Sequence, residues 1–214
     1  MTIASENDSI YSEVWELNSL EKTGGHSVQV SGNPQIVNTD LGKAMKFNGI
    51  NDKLLVDSNP IADAKEFTVE VVFKPDPAGE INNAPRFIHL QDPNDPIEKR
   101  VLIELRVTPE NVWYLDGYMQ TDAGEKTLVN KALTHPLGGW FHAAVTFKDN
   151  TFKTFVNGIQ ELSGTVTYTE KLINKNGKTS IGGRIDNRNY YIGLVKTLKI
   201  TRRALEPKDF IKIK

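Results

Sequence analysis

Residues 139–162 read GWFHAAVTFKDNTFKTFVNGIQEL, and their apolar and polar side chains alternate with a period of two. Phe141 and Val145 fall on one side of an extended chain, and the polar residues between them fall on the other. The pair Asn157-Gly158 interrupts a second run of the same kind. Because both residues tolerate the positive φ of a type I′ turn, the sequence predicts a β-hairpin with a two-residue loop here.

Similar alternation recurs in two further runs, FTVEVVFK at residues 67–74 and RVLIELRV at residues 100–107. Pro, Gly and Asn residues that form turns separate the runs at intervals of about 8 to 12 residues. Short alternating strands with frequent turns are typical of all-β domains. The pattern therefore predicts one β-sandwich or barrel, in which each strand turns one side toward the core.

The composition excludes several classes of function. The 214 residues include 26 Lys and Arg against 27 Asp and Glu, a formal net charge of −1, so we expect no nucleic-acid partner. The absence of cysteine excludes disulfides, thiolate metal sites and cysteine nucleophiles. No apolar run is long enough to span a bilayer, and residues 1–15 lack the basic and apolar parts of a signal peptide, so we expect neither membrane insertion nor a leader in this sequence.

A series of short motifs has the order and spacing of a known family. They are GKAMKFNG (42–49), FTVEVVFK (67–74), GWFHAAVTF (139–147), FVNG (155–158), SIGG (180–183), YIG (191–193) and RAL (203–205). Over residues 40–210 the chain resembles the laminin-G-like branch of the concanavalin A-like lectin/glucanase superfamily. The resemblance implies an all-β fold, a two-sheet antiparallel β-sandwich of the concanavalin A-like jelly-roll type. Because no linker, low-complexity stretch or repeat divides the chain, we predict a single domain over residues 1–214, with residues 1–25 as an N-terminal extension packing on it.

The same resemblance implies a setting and a range of functions. It implies that one sheet is bent, with a concave face that takes extended ligands, and it favours an extracellular or periplasmic location. This fold carries sugar binders, glycosidases, polysaccharide lyases and protein-adhesion modules, so the choice among them has to come from individual residues.

The residues that alternation leaves off the core face are unusual for a solvated sheet. Burial of Ile88 and Leu90 places His89 and Gln91 together on the other side. Such planar polar groups suit sugar hydroxyls, carboxylates and sulfates, so we predict a saccharide-binding groove. The alternative is a charged face in which arginines pair with carboxylates across strands. The remaining candidates for this face are Arg100, Glu104, Arg106, Tyr114, Asp116 and Tyr118, with His135 and residues 184–191.

Binding, β-elimination and hydrolysis all remain open for this groove. A polysaccharide lyase needs a base for the uronate C5 proton and cations for the carboxylate. Lyases of this superfamily use Arg, Gln, His and Tyr side chains, although their local motifs are absent here. Hydrolysis would use Glu104 and Asp116 as a carboxylate pair. The candidate catalytic residues are His89, His135, Arg184 and Tyr191, and the candidate substrate-binding residues are Gln91, Arg100, Glu104, Arg106, Asp116 and Asn187.

The resemblance also implies a possible structural Ca²⁺, because laminin-G-like sandwiches often bind this ion at a rim. The candidate ligands are Asp52 and Asp57, which flank a short apolar run, with Asp92 and Asp95 as further carboxylates in a Pro-rich loop. No other cofactor is expected.

The leading prediction is a carbohydrate-binding module that recognises an acidic polysaccharide on the concave sheet face. The alternatives are a polysaccharide lyase, a glycoside hydrolase, which is less favoured, or a protein-adhesion module, so the sequence leaves open whether the chain is an enzyme. We expect a polysaccharide partner. His142, in the family's Trp-Phe-His motif, is expected to be structural, and Trp113 and Trp140 are expected in the core.

Overall fold

The computed structural model describes residues 11–77, 85–168 and 173–213. Nearly all the regular structure in these residues is β-strand, and the one helical element among them is the single 3₁₀ turn Pro207–Asp209. Within the described ranges, no helix has the length and apolar composition needed to cross a membrane. The prediction of an all-β fold is confirmed.

The first sheet has eight strands in the order β15-β14-β13-β7-β17-β5-β4, and β1 pairs with β17 beside β5. β7 therefore lies at its centre, between β13 and β17. With strands numbered along the whole chain, these are β1 (Ser12–Glu16), β4 (Gln35–Thr39), β5 (Gly42–Asn48), β7 (Phe67–Pro75), β13 (Phe141–Lys148), β14 (Thr151–Val156), β15 (Ile159–Thr165) and β17 (Ile192–Thr201).

The second sheet has nine strands in the order β11-β10-β9-β8-β16-β6-β3-β2, and β12 pairs with β10. Neighbouring strands in both sheets are antiparallel, which confirms the predicted two-sheet antiparallel sandwich. The strands are β2 (Lys22–Thr23), β3 (His26–Ser31), β6 (Lys53–Val56), β8 (Arg86–Gln91), β9 (Arg100–Val107), β10 (Val112–Gln120), β11 (Glu125–Val129), β12 (His135–Pro136) and β16 (Lys178–Ile181).

The core between the sheets is built from the apolar sides of the alternating strands. Phe73 of the first sheet contacts two aromatic residues of the second, with ring centroids 4.7 Å from Phe87 and 5.3 Å from Trp113. On β9, Val101 and Ile103 are almost fully buried in the same core. Burial of this apolar surface is the main stabilising contribution to such a sandwich, at about 25 cal/mol per Å².

β7 departs from simple alternation because both of its sides are buried. Val69 faces the core, but Glu70, on the opposite side, is also fully buried. The C-terminal segment, residues 203–213, crosses that opposite side. The N–H of Ile211 donates to Glu70 Oε1 at 2.6 Å, and the N–H of Leu205 donates to Thr68 Oγ1 at 2.8 Å. The polar side of β7 is thus covered by a distant part of the chain.

The predicted hairpin joins β14 and β15 as expected. Val156 pairs with Ile159, and the two residues between them form the loop. Their φ angles, 50° at Asn157 and 79° at Gly158, are both positive, as a type I′ turn requires. This prediction is confirmed.

The described part of residues 1–25 contributes one strand to each sheet. β1 pairs with β17 in the first sheet, and β2 pairs with β3 in the second. Glu13 of β1 links the two sheets, because its Oε2 atom lies 2.7 Å from Nε2 of His26 on β3. The same Oε2 atom accepts a hydrogen bond from Trp15 Nε1 at 2.8 Å. The extension is therefore built into the sandwich as strands, and residues 1–10 lie outside the described residues.

Candidate functional site

Polar residues of β8, β9 and β10 share the side of the nine-stranded sheet that faces away from the core, here called the outer face. The three strands are neighbours, so the adjacency that the groove prediction needs is present. In register, Glu104 lies between Asp116 and Arg86. Arg100 lies opposite Gln91. The predicted residues that these strands bring together are His89, Gln91, Arg100, Glu104, Arg106 and Asp116.

Arginines and carboxylates alternate along the middle of the outer face. Arg86 Nε donates to Glu104 Oε1 at 2.5 Å. The Arg106 guanidinium lies 2.7 Å from Asp116 Oδ2 and 3.9 Å from Glu104 Oε2. Burial raises the pKa of Glu104, and Asp116 raises it further, although Arg86 and Arg106 oppose this. This part of the face matches the alternative prediction, in which arginines pair with carboxylates across strands. Two carboxylate oxygens, Asp116 Oδ1 and Glu104 Oε2, nevertheless lack a hydrogen-bond partner in the described structure.

Arg100 and Tyr118 form the border of the outer face beside β11. The Arg100 guanidinium lies 5.0 Å from the centre of the Tyr118 ring and 3.0 Å from Glu98 Oε2. Tyr118 in turn donates its hydroxyl hydrogen to Glu125 at 2.5 Å. Burial and the Glu125 carboxylate raise the pKa of Tyr118 to about 12, so its hydroxyl stays protonated and can donate.

His89, on β8, belongs to the outer face but is fully buried. Its Nδ1 atom accepts a hydrogen bond from the N–H of Ile185 at 3.2 Å, which places the ring proton on Nε2. Nε2 has no hydrogen-bond partner in the described structure. Burial, together with the positive charge of Arg184, lowers the pKa of His89 to about 3, so the imidazole is neutral at ordinary pH.

The loop formed by residues 182–190 contacts His89 through Ile185 and carries two more predicted residues. Arg184 Nε lies 3.1 Å from Asp186 Oδ1. Lys53 on β6 ties the loop to the sheet by donating to Asn187 Oδ1 at 2.5 Å and to the carbonyl of Ile185 at 3.2 Å. Arg184 and Asn187 therefore belong to a loop that contacts both His89 and Lys53.

An open depression lies over β9, β10 and β11. Its volume is about 550 Å³. The half-buried ring of Tyr114 and the Arg106 guanidinium line it, Lys131 stands at its edge, and Asp116 contributes an unpartnered buried oxygen. Thr127 adds a hydroxyl. The depression thus combines an aromatic surface, two cations and a threonine hydroxyl in space open to solvent, with the buried carboxylate of Asp116 in its wall.

Tyr191 does not lie on the outer face, so its predicted placement is wrong. The ring is fully buried in the core, 5.3 Å from Phe87 and 6.3 Å from Phe47 between centroids. Its hydroxyl donates to the carbonyl of Leu194 at 3.3 Å. The N–H of Tyr191 donates to the carbonyl of Gly182, which holds the residue against the sheet. Burial of its aromatic ring in the core outweighs the tendency of the polar loop before it to lie at the surface.

His135 is also on a different side of the sheet from His89, which corrects its predicted place in the groove. It pairs with Trp113, whose side chain faces the core, and the two ring centroids are 4.6 Å apart. His135 Nε2 lies 2.7 Å from Glu161 Oε1, a residue of the other sheet. Burial raises the pKa of Glu161, and His135 opposes this. His135 therefore links the two sheets at their edge, and the four candidate catalytic residues are not assembled at one point.

The pair Asp52 and Asp57 does not fit a calcium ion. Asp52 is buried, and its two carboxylate oxygens accept the N–H groups of Asn33 at 2.7 Å and Asn48 at 3.0 Å. Asp57 is exposed and lies 3.3 Å from Lys178. Among the residues that the structure describes, no three His, Asp or Glu side chains are grouped as metal ligands would be. Asp52 instead fixes the turn between β5 and β6.

Asp92 and Asp95 are turn residues in the same way. Asp92 Oδ1 accepts the N–H of Asn94 at 2.9 Å, and Asp95 Oδ1 accepts the N–H of Ile97 at 3.0 Å. These bonds are those of aspartates that begin a turn. The second oxygen of Asp95, Oδ2, is buried without a hydrogen-bond partner among the described residues, and Lys99 Nζ lies 3.6 Å from it.

Sequence reasoning missed Trp140, which lies outside the core although Trp113 is inside it as predicted. The Trp140 ring is half-buried, and its Nε1 donates to Asp40 Oδ1 at 2.9 Å. The signal was present, because period-two alternation from Phe141 places residues 140 and 142 together on the side away from the core. His142 is there, buried and hydrogen-bonded to Glu70, in keeping with a structural role.

Comparison with known proteins supports the fold. A family model described as the concanavalin A-like lectin/glucanases superfamily (Laminin_G_3) matches residues 48–209. No curated protein matches the sequence. Among solved structures, domain 4 of AbnA, a GH43 extracellular arabinanase from Geobacillus stearothermophilus in complex with arabinotriose, has a TM-score of 0.69 at 16% identity, over 93% of this chain and 96% of that one.

Two toxin binding domains are also similar. The botulinum neurotoxin serotype G binding domain has a TM-score of 0.66 at 11% identity, over 92% of this chain and 49% of that one. The binding domain of Paraclostridial Mosquitocidal Protein 1 has a TM-score of 0.67 at 16% identity, over 92% and 50%. The chain thus spans about half the length of each toxin domain, and at these identities the likeness is one of fold alone. The predicted jelly-roll class is confirmed.

Proposed function

This chain belongs to the concanavalin A-like lectin/glucanase superfamily, and on that premise we propose that it binds an acidic polysaccharide on the outer face of its nine-stranded sheet. The observation that carries the proposal is the open depression lined by Tyr114, Arg106, Lys131 and Asp116. A sugar ring can lie on the tyrosine while its hydroxyl groups bond to the polar side chains.

The charges around the depression favour an acidic sugar. Arg106 and Lys131 are both cationic, and among the described residues Asp116 is the one carboxylate that lines the depression. Because Arg106 and Asp116 already neutralise each other, Lys131 leaves the depression with excess positive charge. Guanidinium and ammonium groups bind carboxylate or sulfate by charge-assisted hydrogen bonds. The proposed ligand is therefore a polymer of uronic acid or sulfated sugars.

Binding rather than catalysis is favoured by the position of the histidines. His89 is fully buried and is held neutral, and His135 lies on the core side of the sheet. A base for β-elimination has to reach the substrate proton directly or through one water. The comparison with an arabinanase domain in complex with arabinotriose supports a carbohydrate ligand. The proposal includes an extracellular or periplasmic location, where such polymers occur.

Affinity electrophoresis tests the proposal with alginate, pectate, ulvan and glycosaminoglycans, and with arabinan as a neutral polymer. We expect retardation by at least one acidic polymer, weakening as salt is added. Tyr114→Ala and Lys131→Ala should each reduce the affinity by about tenfold. Lys43→Ala, which removes the same charge from an exposed position on β5, should leave it unchanged.

Results of two kinds, in binding and in absorbance, would overturn the proposal. One is the absence of retardation by every acidic polymer, or retardation that both variants retain in full. The other is a rise in absorbance near 235 nm on incubation with any of these polymers, because the unsaturated product would identify a lyase.

A further inference from the structure

A second cavity lies on the opposite side of the molecule, on the outward side of the eight-stranded sheet. Its volume is about 320 Å³, at the lower end of the range for small-molecule pockets. The start of β13, the β14–β15 turn and the C-terminal segment line it. Its lining residues are Trp140, His142, Asn157, Gly158 and Phe210–Ile213. None of them belongs to the outer face described above.

Trp140 gives this cavity a fixed aromatic wall. The hydrogen bond from its Nε1 to Asp40 Oδ1, at 2.9 Å, holds the indole in one orientation. The other two tryptophans, Trp15 and Trp113, are fully buried in the core. A half-exposed tryptophan held by its polar edge leaves its ring face for an apolar partner.

His142 gives the cavity wall an unsatisfied hydrogen-bonding atom. The side chain is 3% exposed, and its Nε2 lies 3.1 Å from Glu70 Oε1. Glu70 also contacts Lys199 at 3.0 Å and accepts the N–H of Ile211, and these partners lower its pKa against the effect of burial. Nε2 faces the Glu70 carboxylate and donates to it, so in the neutral imidazole Nδ1 is the acceptor.

His142 Nδ1 has no hydrogen-bond partner among the residues that the structure describes. An unpaired buried acceptor is unfavourable, and its natural complement is a donor brought by a ligand. A carboxylate or sulfate has no hydrogen to donate to such an acceptor. A hydroxyl group can donate, and sugar rings combine hydroxyl edges with an apolar face.

We infer that this cavity is a second carbohydrate site, which takes one neutral sugar ring with its apolar face on Trp140 and a hydroxyl group donating to His142 Nδ1. Lys212 and Asn157 at the rim can bond to further hydroxyl groups. The chain would then hold an acidic polymer on one side and an uncharged sugar on the other. This site does not depend on the proposed acidic-polysaccharide site, since the two share no residue.

The three tryptophans allow a selective test by NMR, because each indole N–H gives one cross-peak in a ¹H–¹⁵N spectrum. Trp140→Phe identifies the cross-peak of Trp140. We would add the methyl glycosides of glucose, galactose, mannose, xylose and arabinose in turn, with sodium glucuronate as the charged comparison. The inference expects at least one neutral glycoside to shift the Trp140 cross-peak while those of Trp15 and Trp113 stay in place.

Variants separate this site from the acidic-polysaccharide site. With the amide of Gly158 as the reporter, Trp140→Ala should weaken binding of the active glycoside by about tenfold or more, and Trp140→Phe by less than about threefold. Tyr114→Ala should not affect it. The unchanged cross-peaks of Trp15 and Trp113 verify that each variant is folded. No shift with any neutral glycoside, an equal shift with glucuronate, or full affinity in Trp140→Ala would overturn the inference.

Discussion

Glu104 and Asp116 lie directly opposite each other on β9 and β10, and both side chains are 2% exposed. Two buried carboxylates repel each other unless cations or protons neutralise them. The Arg106 guanidinium does so for both, at 3.9 Å from one and 2.7 Å from the other. An arginine that lines the proposed binding depression therefore also stabilises the sheet beneath it.

Arg106→Gln should destabilise the fold as well as weaken binding. Without the Arg106 guanidinium, less positive charge offsets the repulsion between the two facing carboxylates. Because Arg106 is one-third exposed, we expect the free energy of unfolding to fall by about 1 to 3 kcal/mol. Urea denaturation measures this free energy of unfolding. Adding Glu104→Gln should recover part of the loss, because one of the two charges is gone, and strictly additive effects of the two substitutions would contradict this account.

Glu104→Gln should also change how stability depends on pH. The pKa of Glu104 is raised in the folded protein above its ordinary value of 4.5, so the folded state holds this proton more tightly than the unfolded state does. Its ionisation therefore reduces stability as the pH rises from 4.5 through the raised pKa. Denaturation curves from acid to neutral pH should show the variant gaining on the wild type over that interval. A constant difference would contradict the raised pKa.

The sequence predicts which residues face away from the core better than it predicts what covers them. Alternation places His89 and Glu104 on one face correctly, because strand geometry is local. It says nothing of residues 182–190, which contact His89, or of the C-terminal segment, which covers Glu70 from more than 130 positions away. Tyr191 was misplaced for a related reason, since a loop residue has no period to indicate its side.

Phe210 anchors the C-terminal segment, so Phe210→Ala should loosen it. The ring is 4% exposed and packs 5.1 Å from Phe155 and 5.4 Å from His142 between centroids. We expect a loss of about 2 to 4 kcal/mol, in the lower part of the range for buried aromatics because the surrounding cluster is small. Hydrogen exchange at the Ile211 amide, which bonds to Glu70, should accelerate as well.

A comparison with an exposed apolar residue checks that this loss comes from packing. Ile50 is 75% exposed, so Ile50→Ala should change the free energy of unfolding by less than about 0.5 kcal/mol. An equally small effect of Phe210→Ala would mean that the C-terminal segment is not held by this ring.

Two glycines with positive φ should respond very differently to alanine. At Gly158, φ is +79° and a Cβ would meet no atom within 4 Å, so Gly158→Ala should cost about 1 kcal/mol through backbone conformation alone. At Gly193, φ is +137° and a Cβ would lie 2.4 Å from the carbonyl oxygen of Lys74 and 2.6 Å from the hydroxyl of Tyr191. Gly193→Ala should therefore cost about 3 kcal/mol or more, because the paired strand and a core side chain have to move. Urea denaturation of the two variants side by side gives both values. Equal losses would show that the close approach of β17 to β7 at Gly193 is not a constraint on the fold.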